Sequence, residues 1–142
     1  MALSHDQKVE LLQTVDLFTG LAPDTLGRVA EVAHEVSYPA GRWIVRQGEV
    51  GTGFFLLLAG RTRVVRDDEQ LAELGPGDFF GELSLLDQQP RVASVVTTEA
   101  TECLAIASWD FDALLESQPA LTLALLRGVA RRLRSADVHH QP

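Results

Sequence analysis

Only one cysteine, Cys103, and one lysine, Lys8, occur among the 142 residues. A single cysteine excludes an internal disulfide framework and a metal cluster held by several cysteines. No apolar run approaches the roughly 20 residues that a membrane-spanning helix needs, so no membrane partner is expected. The N-terminus lacks a basic segment followed by an apolar stretch, the pattern of a signal peptide. Together these absences predict a cytoplasmic protein.

Positive charge is scarce relative to negative charge, and the formal net charge is −8. Duplex binding depends on lysine and arginine neutralising phosphates, so the charge argues against nucleic acid as a direct partner. The one basic cluster lies near the C-terminus and consists of Arg127, Arg131, Arg132 and Arg134. These cations are better explained as complementing a helix dipole than as a phosphate or partner patch.

The few histidines lie outside the predicted strands, at His5, His34, His139 and His140. A metal-dependent enzyme on an all-β roll needs closely spaced histidines and a carboxylate on strands. We therefore predict no metal, no cofactor and no enzymatic activity. Cys103 is expected to be an unreactive core residue in a strand. Trp43 and Trp109 are expected to be packing residues.

A helical lead-in is predicted over residues 4–35. Ser4 and Gln7 form a capping box that opens a first helix ending near Thr14. A second helix begins near Pro23, a favoured first-turn residue. Its apolar residues recur at helical spacing on one face, and His34 is placed at its end. That face carries Leu26, Val29, Ala30 and Ala33.

A β-roll is predicted over residues 36–107, because short apolar or β-branched runs alternate there with turn signals rich in glycine, proline and aspartate. Strands of this length and spacing favour a sandwich or roll over a parallel sheet. The fold class is therefore mainly β with flanking helices, in one domain that spans residues 1–142. The predicted runs are 43–45, 54–58, 64–65, 71–74, 93–98 and 103–106.

C-terminal helices are predicted over 108–135, followed by a polar tail at 136–142. Ser108 is the expected N-cap of the first helix, and Pro119 begins the second. From Ala120 to Arg134 the apolar residues spread over more than one stripe, which favours a homodimer contact through this helix. The alternative is a short helix that folds back on its own roll in a monomer. Gly128 allows another helix to approach closely or this helix to bend locally.

The segment from Gly77 to Ser94 departs from ordinary strand and turn sequence. Gly81 permits close backbone approach, and residues 82–86 can form one helical turn whose free N–H groups bind an anion. Arg91 offers a planar fork to a phosphate, whereas Glu82 is an acceptor that suits a ribose hydroxyl. These residues together describe a ribose phosphate ligand. The alternative is that Glu82 caps its helix and pairs with Arg91 without any ligand.

The string Phe80-Gly81-Glu82-Leu83-Ser84-Leu85, followed by Arg91-Val92-Ala93, resembles the phosphate-binding cassette of cyclic-nucleotide-binding domains. This module occurs in the bacterial catabolite activator family, cyclic-nucleotide-dependent kinases and gated channels. The resemblance covers roughly residues 15 to 135, including the lead-in, the glycine-punctuated strands and the last helix. It implies a jelly-roll-like β-roll that binds cAMP or cGMP as a signal-sensing regulatory module.

The resemblance also implies roles for individual residues. Glu82 would bind the ribose hydroxyl and Arg91 the cyclic phosphate. Gly81, Val92 and the backbone amides of Leu83, Ser84 and Ala93 would complete that site, and Val64 and Leu71 would line the base pocket.

Two departures from the family pattern bear on ligand and output. Val92 stands where cGMP-selective relatives often have a hydroxyl residue, which favours cAMP over cGMP. Ala136-Asp137 replaces two hydroxyl residues that contact the base in catabolite-activator relatives.

Such relatives continue into a helix-turn-helix domain, so the sequence is expected either to lack DNA binding or to be the sensor fragment of a transcription regulator. A third reading is an interaction module that has lost its ligand. The downstream protein partner is unidentified.

Overall fold

The computed structural model describes residues 2–51, 53–81 and 87–140, and for 136–140 it describes the backbone alone. A short 3-10 turn at Asp16–Phe18 separates the first two helices. The helices are α1 (His5–Gln13), α2 (Pro23–Val32), α3 (Ser108–Ser117) and α4 (Pro119–His140). None of these described helices is long and apolar enough to cross a membrane.

Eight described strands form two antiparallel sheets of four strands each, with orders β1-β8-β3-β6 and β2-β7-β4-β5. This arrangement, with helices before and after the strands, confirms the predicted fold class. Non-consecutive strands lie side by side in both sheets, as in a roll. The strands are β1 (His34–Tyr38), β2 (Trp43–Val45), β3 (Gly53–Ala59), β4 (Thr62–Arg66), β5 (Glu69–Leu74), β6 (Phe79–Phe80), β7 (Ser94–Thr97) and β8 (Thr101–Ala107).

The predicted capping box of α1 and the predicted start of α2 are both present. The Ser4 hydroxyl accepts the Gln7 N–H at 3.1 Å, and the Gln7 side chain accepts the Ser4 N–H at 2.8 Å. Two otherwise unsatisfied donors of α1 are thus bonded reciprocally. Pro23 occupies the first turn of α2.

The placement of His34 at the end of a helix is wrong. Helix α2 ends at Val32, Ala33 has extended backbone angles, and His34 begins β1 by pairing with Ala105 of β8. It also follows that one histidine does lie in a strand. Strand β1 escaped prediction because it is a sheet edge with mostly polar residues, so the apolar pattern that marks buried strands is weak there.

Two clusters of buried side chains hold the elements together. The larger one lies between the first sheet and the helices, where Phe54 stacks on Phe111 of α3 with ring centroids 5.4 Å apart. The smaller one includes Leu57, Val95 and Cys103 inside the roll. Cys103 is fully buried, and burial raises the pKa of its thiol to about 12. It is therefore an unreactive core residue, as predicted.

The C-terminal helices differ in detail from the prediction. Ala107 is the N-cap of α3 and Ser108 is its first residue, with no side-chain capping bond. Helix α4 continues to His140, beyond the predicted limit at 135. Gly128 faces Leu17, whose Cδ1 would lie 2.8 Å from an added Cβ. The close approach that this glycine allows is therefore to the 3-10 turn of the same chain.

The prediction that both tryptophans are packing residues is wrong. Trp109 is 71% exposed and Trp43 is 37% exposed. Trp43 is covered in part by the guanidinium of Arg46, whose Cζ lies 5.6 Å from the ring centroid. An arginine over an aromatic face is a favourable contact at a surface position.

Candidate functional site

A cavity of about 360 Å³ is lined by strands of both sheets, by the 87–93 loop and by α4. Its floor is apolar and comes from strands of both sheets. Two arginines, Arg91 and Arg132, also line it. The apolar lining is Val45, Val64, Leu74, Phe79, Phe80, Pro90, Val92, Ala93 and Val95.

Gly81 lies where the cavity meets strand β3. Its φ is +98°, a region that L side chains rarely adopt. An added Cβ would lie 2.6 Å from the Gly53 carbonyl oxygen and 3.1 Å from Arg91 Nη1. The position therefore requires glycine for two independent reasons, its backbone angle and its contact distances.

The backbone of Arg91 is fixed on both sides. Its N–H donates to the Glu49 carbonyl oxygen at 2.8 Å, and its own carbonyl accepts the Gly48 N–H at 2.8 Å. The preceding Pro90 forms an isolated antiparallel bridge with Val50. The turn predicted around Gly48 thus fixes the backbone of Arg91 through hydrogen bonds.

The side chain of Arg91 is 8% exposed, and its Nη2 donates to the Gly53 carbonyl oxygen at 2.9 Å. This bond fixes the direction of the guanidinium relative to strand β3. Burial of a cation is unfavourable unless polar groups surround it. The same low-dielectric setting strengthens charge-assisted hydrogen bonds to any anion that enters the cavity.

Arg132 reaches the cavity from α4, and the sequence reasoning did not assign it to the site. Its Nη2 donates to the Phe79 carbonyl oxygen at 2.9 Å, and its Cζ lies 3.7 Å from the Phe79 ring centroid. The sequence spacing could have indicated this position. Arg132 lies three residues after Val129 and seven after Leu125, on the side of the helix that these residues bury. A cation at that helical phase indicates a polar environment on the inner face.

Asp87 is a second lining residue that sequence reasoning missed. Its side chain is exposed, and its Oδ1 accepts the Gln89 N–H at 3.0 Å. This carboxylate at the rim limits how much negative charge the outer part of the cavity can accept. Of the two arginines in the lining, Arg91 is buried whereas Arg132 is exposed.

The predicted base-pocket residues have different surroundings. Val64 lines the cavity, whereas Leu71 is 46% exposed and is absent from the lining. The β4–β5 pairing shifts register at this point, with Val64 opposite Ala72 and Val65 opposite Gln70. Leu71 falls opposite this irregularity and so does not share the inward face of Val64. Its assignment to the base pocket has no structural support.

Four of the predicted phosphate-site residues lie together: Gly81, Arg91, Val92 and Ala93 all line the cavity. Glu82, Leu83 and Ser84, with the predicted helical turn at 82–86, lie outside the described residues. Their roles stay predictions. Among the residues that the structure does describe, no three histidine, cysteine or acidic side chains are grouped as a metal site.

An apolar floor with a buried cation at one end suits a ligand that has both a flat apolar part and an anionic part. The sequence profile described as "Cyclic nucleotide-binding domain" matches residues 35–118, more than half of the chain. The chain belongs to the cyclic-nucleotide-binding domain family. The matched range contains Gly81, Arg91, Val92 and Ala93, which were predicted to form the phosphate site, and Val64.

Individual relatives agree with this membership. The chain is 40% identical over 127 residues to the cyclic AMP receptor protein of Thermus thermophilus, covering 86% of this chain and 59% of the relative. It is 34% identical over 116 residues to a cGMP-dependent protein kinase of Drosophila melanogaster (isozyme 2, forms cD5/T2), covering 76% of this chain and 12% of the kinase.

Among solved structures, the Thermus thermophilus catabolite activator protein matches with a TM-score of 0.80 and 40% identity. That match covers 87% of this chain and 61% of the solved chain. The chain thus spans about three fifths of the bacterial relatives, and the similarity concerns this domain.

Proposed function

We propose that this domain binds cAMP in preference to cGMP and thereby acts as a signal-sensing module. Arg91 binds the cyclic phosphate with the help of the Ala93 amide, and Gly81 allows the backbone to approach it. Glu82 accepts a hydrogen bond from the ribose hydroxyl, and the amides of Leu83 and Ser84 complete the phosphate site. The observation that carries the proposal is the burial of Arg91, a residue 8% exposed, in the lining of a largely apolar cavity.

The dimensions and chemistry of the cavity support a nucleotide ligand. A volume of about 360 Å³ falls within the roughly 300–1,000 Å³ of small-molecule sites. Val64, Leu74 and Val45 offer apolar contact to a base. The preference for cAMP rests on Val92, which has no hydroxyl to donate to or accept from a guanine. Val92 is 60% exposed and lies at the cavity lining, beside Arg91.

The change in Tm on adding nucleotide tests this proposal. A ligand that binds only the folded state stabilises it by about 2.7 kcal/mol at a concentration 100 times its Kd. For a domain of this size we expect a rise in Tm of roughly 10 °C with saturating cAMP. The rise with cGMP should require a higher concentration, and 5′-AMP, whose phosphate is not cyclic, serves as the control. An equal response to all three nucleotides would contradict selective binding of a cyclic phosphate.

We also propose that α4 forms a homodimer contact. Leu121 and Leu125 are buried against the same chain, but Leu126 and Leu133 are 65% and 64% exposed, and Leu123 is 46% exposed. Leu126 and Leu133 are seven residues apart, so they lie on one side of the helix. An exposed leucine line of this spacing fits a second copy of the same helix.

Leu126→Glu is expected to shift the protein from dimer to monomer in sedimentation velocity, because a carboxylate in an apolar helix contact is strongly unfavourable. Leu126 is the informative position, since a charge at Leu125, which is 3% exposed, would disrupt the core instead. Arg127→Gln, one residue along, lowers the net charge by the same single unit and is the control for that change. A monodisperse monomer for the unmodified chain at all concentrations, with and without cAMP, would refute the dimer.

A further inference from the structure

A second cavity, of about 260 Å³, lies between α1 and strands β1, β3 and β8. None of its lining residues lines the nucleotide cavity. Leu3 and Leu11 form the wall on the helix side, and Leu58 contributes an apolar surface from β3. Glu35 of β1 and Glu102 of β8 also line it. The cavity therefore combines an apolar interior with two carboxylates.

Strand register brings the two carboxylates to one side of the sheet. Ser37 pairs with Glu102, and Glu35 is two residues from Ser37 on the same strand face. Diagonal neighbours of this kind are about 7–8 Å apart between strands. That spacing allows one cationic head group to interact with both carboxylates.

Neither carboxylate is neutralised by a cation in the described part of the chain. The ion pairs there are Arg28–Glu31 and Arg61–Glu73. Glu35 accepts the Leu3 N–H at 2.8 Å, which fixes its position at the cavity. Lys8, the lysine of α1, donates to the Ala33 carbonyl oxygen at 2.8 Å. The two carboxylates that line the cavity thus have no ion-pair partner among the described residues.

We propose that this cavity is a docking site for a protein segment that inserts one apolar side chain and places lysine or arginine beside it. Charge complementarity identifies the occupant, because Glu35 and Glu102 attract cations and the whole chain carries −8. The same carboxylates repel a second nucleotide phosphate. The volume is below the usual small-molecule range of roughly 300–1,000 Å³ and suits a single anchor side chain. The site shares no lining residue with the nucleotide cavity and gives the domain a surface for a downstream partner.

The test uses ¹⁵N-labelled protein and three short capped peptides: Gly-Phe-Arg-Arg-Gly, Gly-Ala-Arg-Arg-Gly and Gly-Phe-Glu-Glu-Gly. The first should produce saturable amide shifts at Leu3, Ser37, Leu58 and Glu102. The alanine peptide should bind more weakly because it lacks the anchor. The acidic peptide should produce no shifts at these amides. Absence of shifts with the first peptide at about 5 millimolar, well above the range of weak specific contacts, would overturn the proposal.

A matched pair of variants separates this site from general attraction to an acidic protein. Glu102→Gln should weaken the arginine peptide about two- to fivefold, the range for one exposed charge pair. Glu69→Gln removes an exposed carboxylate from β5 and should leave the affinity unchanged. Equal weakening by both variants, or equal binding of the acidic and basic phenylalanine peptides, would show that no specific basic segment docks in this cavity.

Discussion

Replacing Arg91 by alanine is expected to reduce the affinity for cAMP between about thirtyfold and several thousandfold. This range corresponds to the roughly 2–5 kcal/mol lost when one partner of a buried charged hydrogen-bond pair is truncated. Arg91 is 8% exposed, so solvent screens its contact with a phosphate only weakly. Isothermal titration calorimetry of the variant measures the loss directly.

Two further variants make the Arg91 result specific. Arg91→Lys keeps the charge but loses the planar fork, so its affinity should lie between those of the alanine variant and the unmodified chain. Arg66→Ala removes an exposed cation that does not line the cavity, with the same change in net charge, and should bind cAMP normally. Thermal melts check folding, because alanine at position 91 also removes the bond to the Gly53 carbonyl oxygen. Unchanged affinity in a folded Arg91→Ala protein would place the phosphate elsewhere.

Gly81→Ala is expected to damage both the fold and the site. Holding a non-glycine residue at such a positive φ lowers the protein's free energy of unfolding by about 1–3 kcal/mol. In addition, the new Cβ would lie 2.6 Å from the Gly53 carbonyl oxygen and 3.1 Å from Arg91 Nη1. Relief of these contacts must displace β3, the cassette or the guanidinium. We therefore expect cAMP affinity to fall at least about tenfold, a change of about 1.4 kcal/mol.

Gly77→Ala is the matched control for this effect. Gly77 has a φ of +91°, but no atom lies within 4 Å of an added Cβ. Chemical denaturation should therefore show a comparable loss of unfolding free energy from backbone strain. The Kd for cAMP should stay within about a factor of two of the value for the unmodified chain. If both variants lose affinity equally, the close contacts of Gly81 have no special role in the site.

Much of the fold was predictable because the signals are local. Capping by Ser4, the start of α2 at Pro23 and the apolar runs that became β3 and β8 depend on neighbours in sequence. The cassette was recognised for the same reason, since Gly81 and Arg91 lie ten residues apart in one distinctive string. Six of the eight described strands overlap predicted runs, and β1 and β6 do not.

The features that escaped prediction depend on distant contacts. Arg132 joins the site only because α4 crosses β6, more than 50 residues earlier in the chain. Leu71 does not line the cavity because of a register shift between β4 and β5, which no local pattern marks. Strand β1 pairs with β8, about 70 residues away, and its polar edge composition hides it. The exposure of Trp109 likewise depends on which face of α3 the core covers.

Calorimetric titration of the unmodified chain with cAMP tests the central claim most directly. We predict saturable binding of one cAMP per chain, competed by excess cGMP only at higher concentration, and lost in Arg91→Ala. Circular dichroism checks that the protein is folded. The claim is contradicted if this folded protein shows no binding up to about 1 millimolar cAMP, which corresponds to a binding free energy weaker than about 4 kcal/mol.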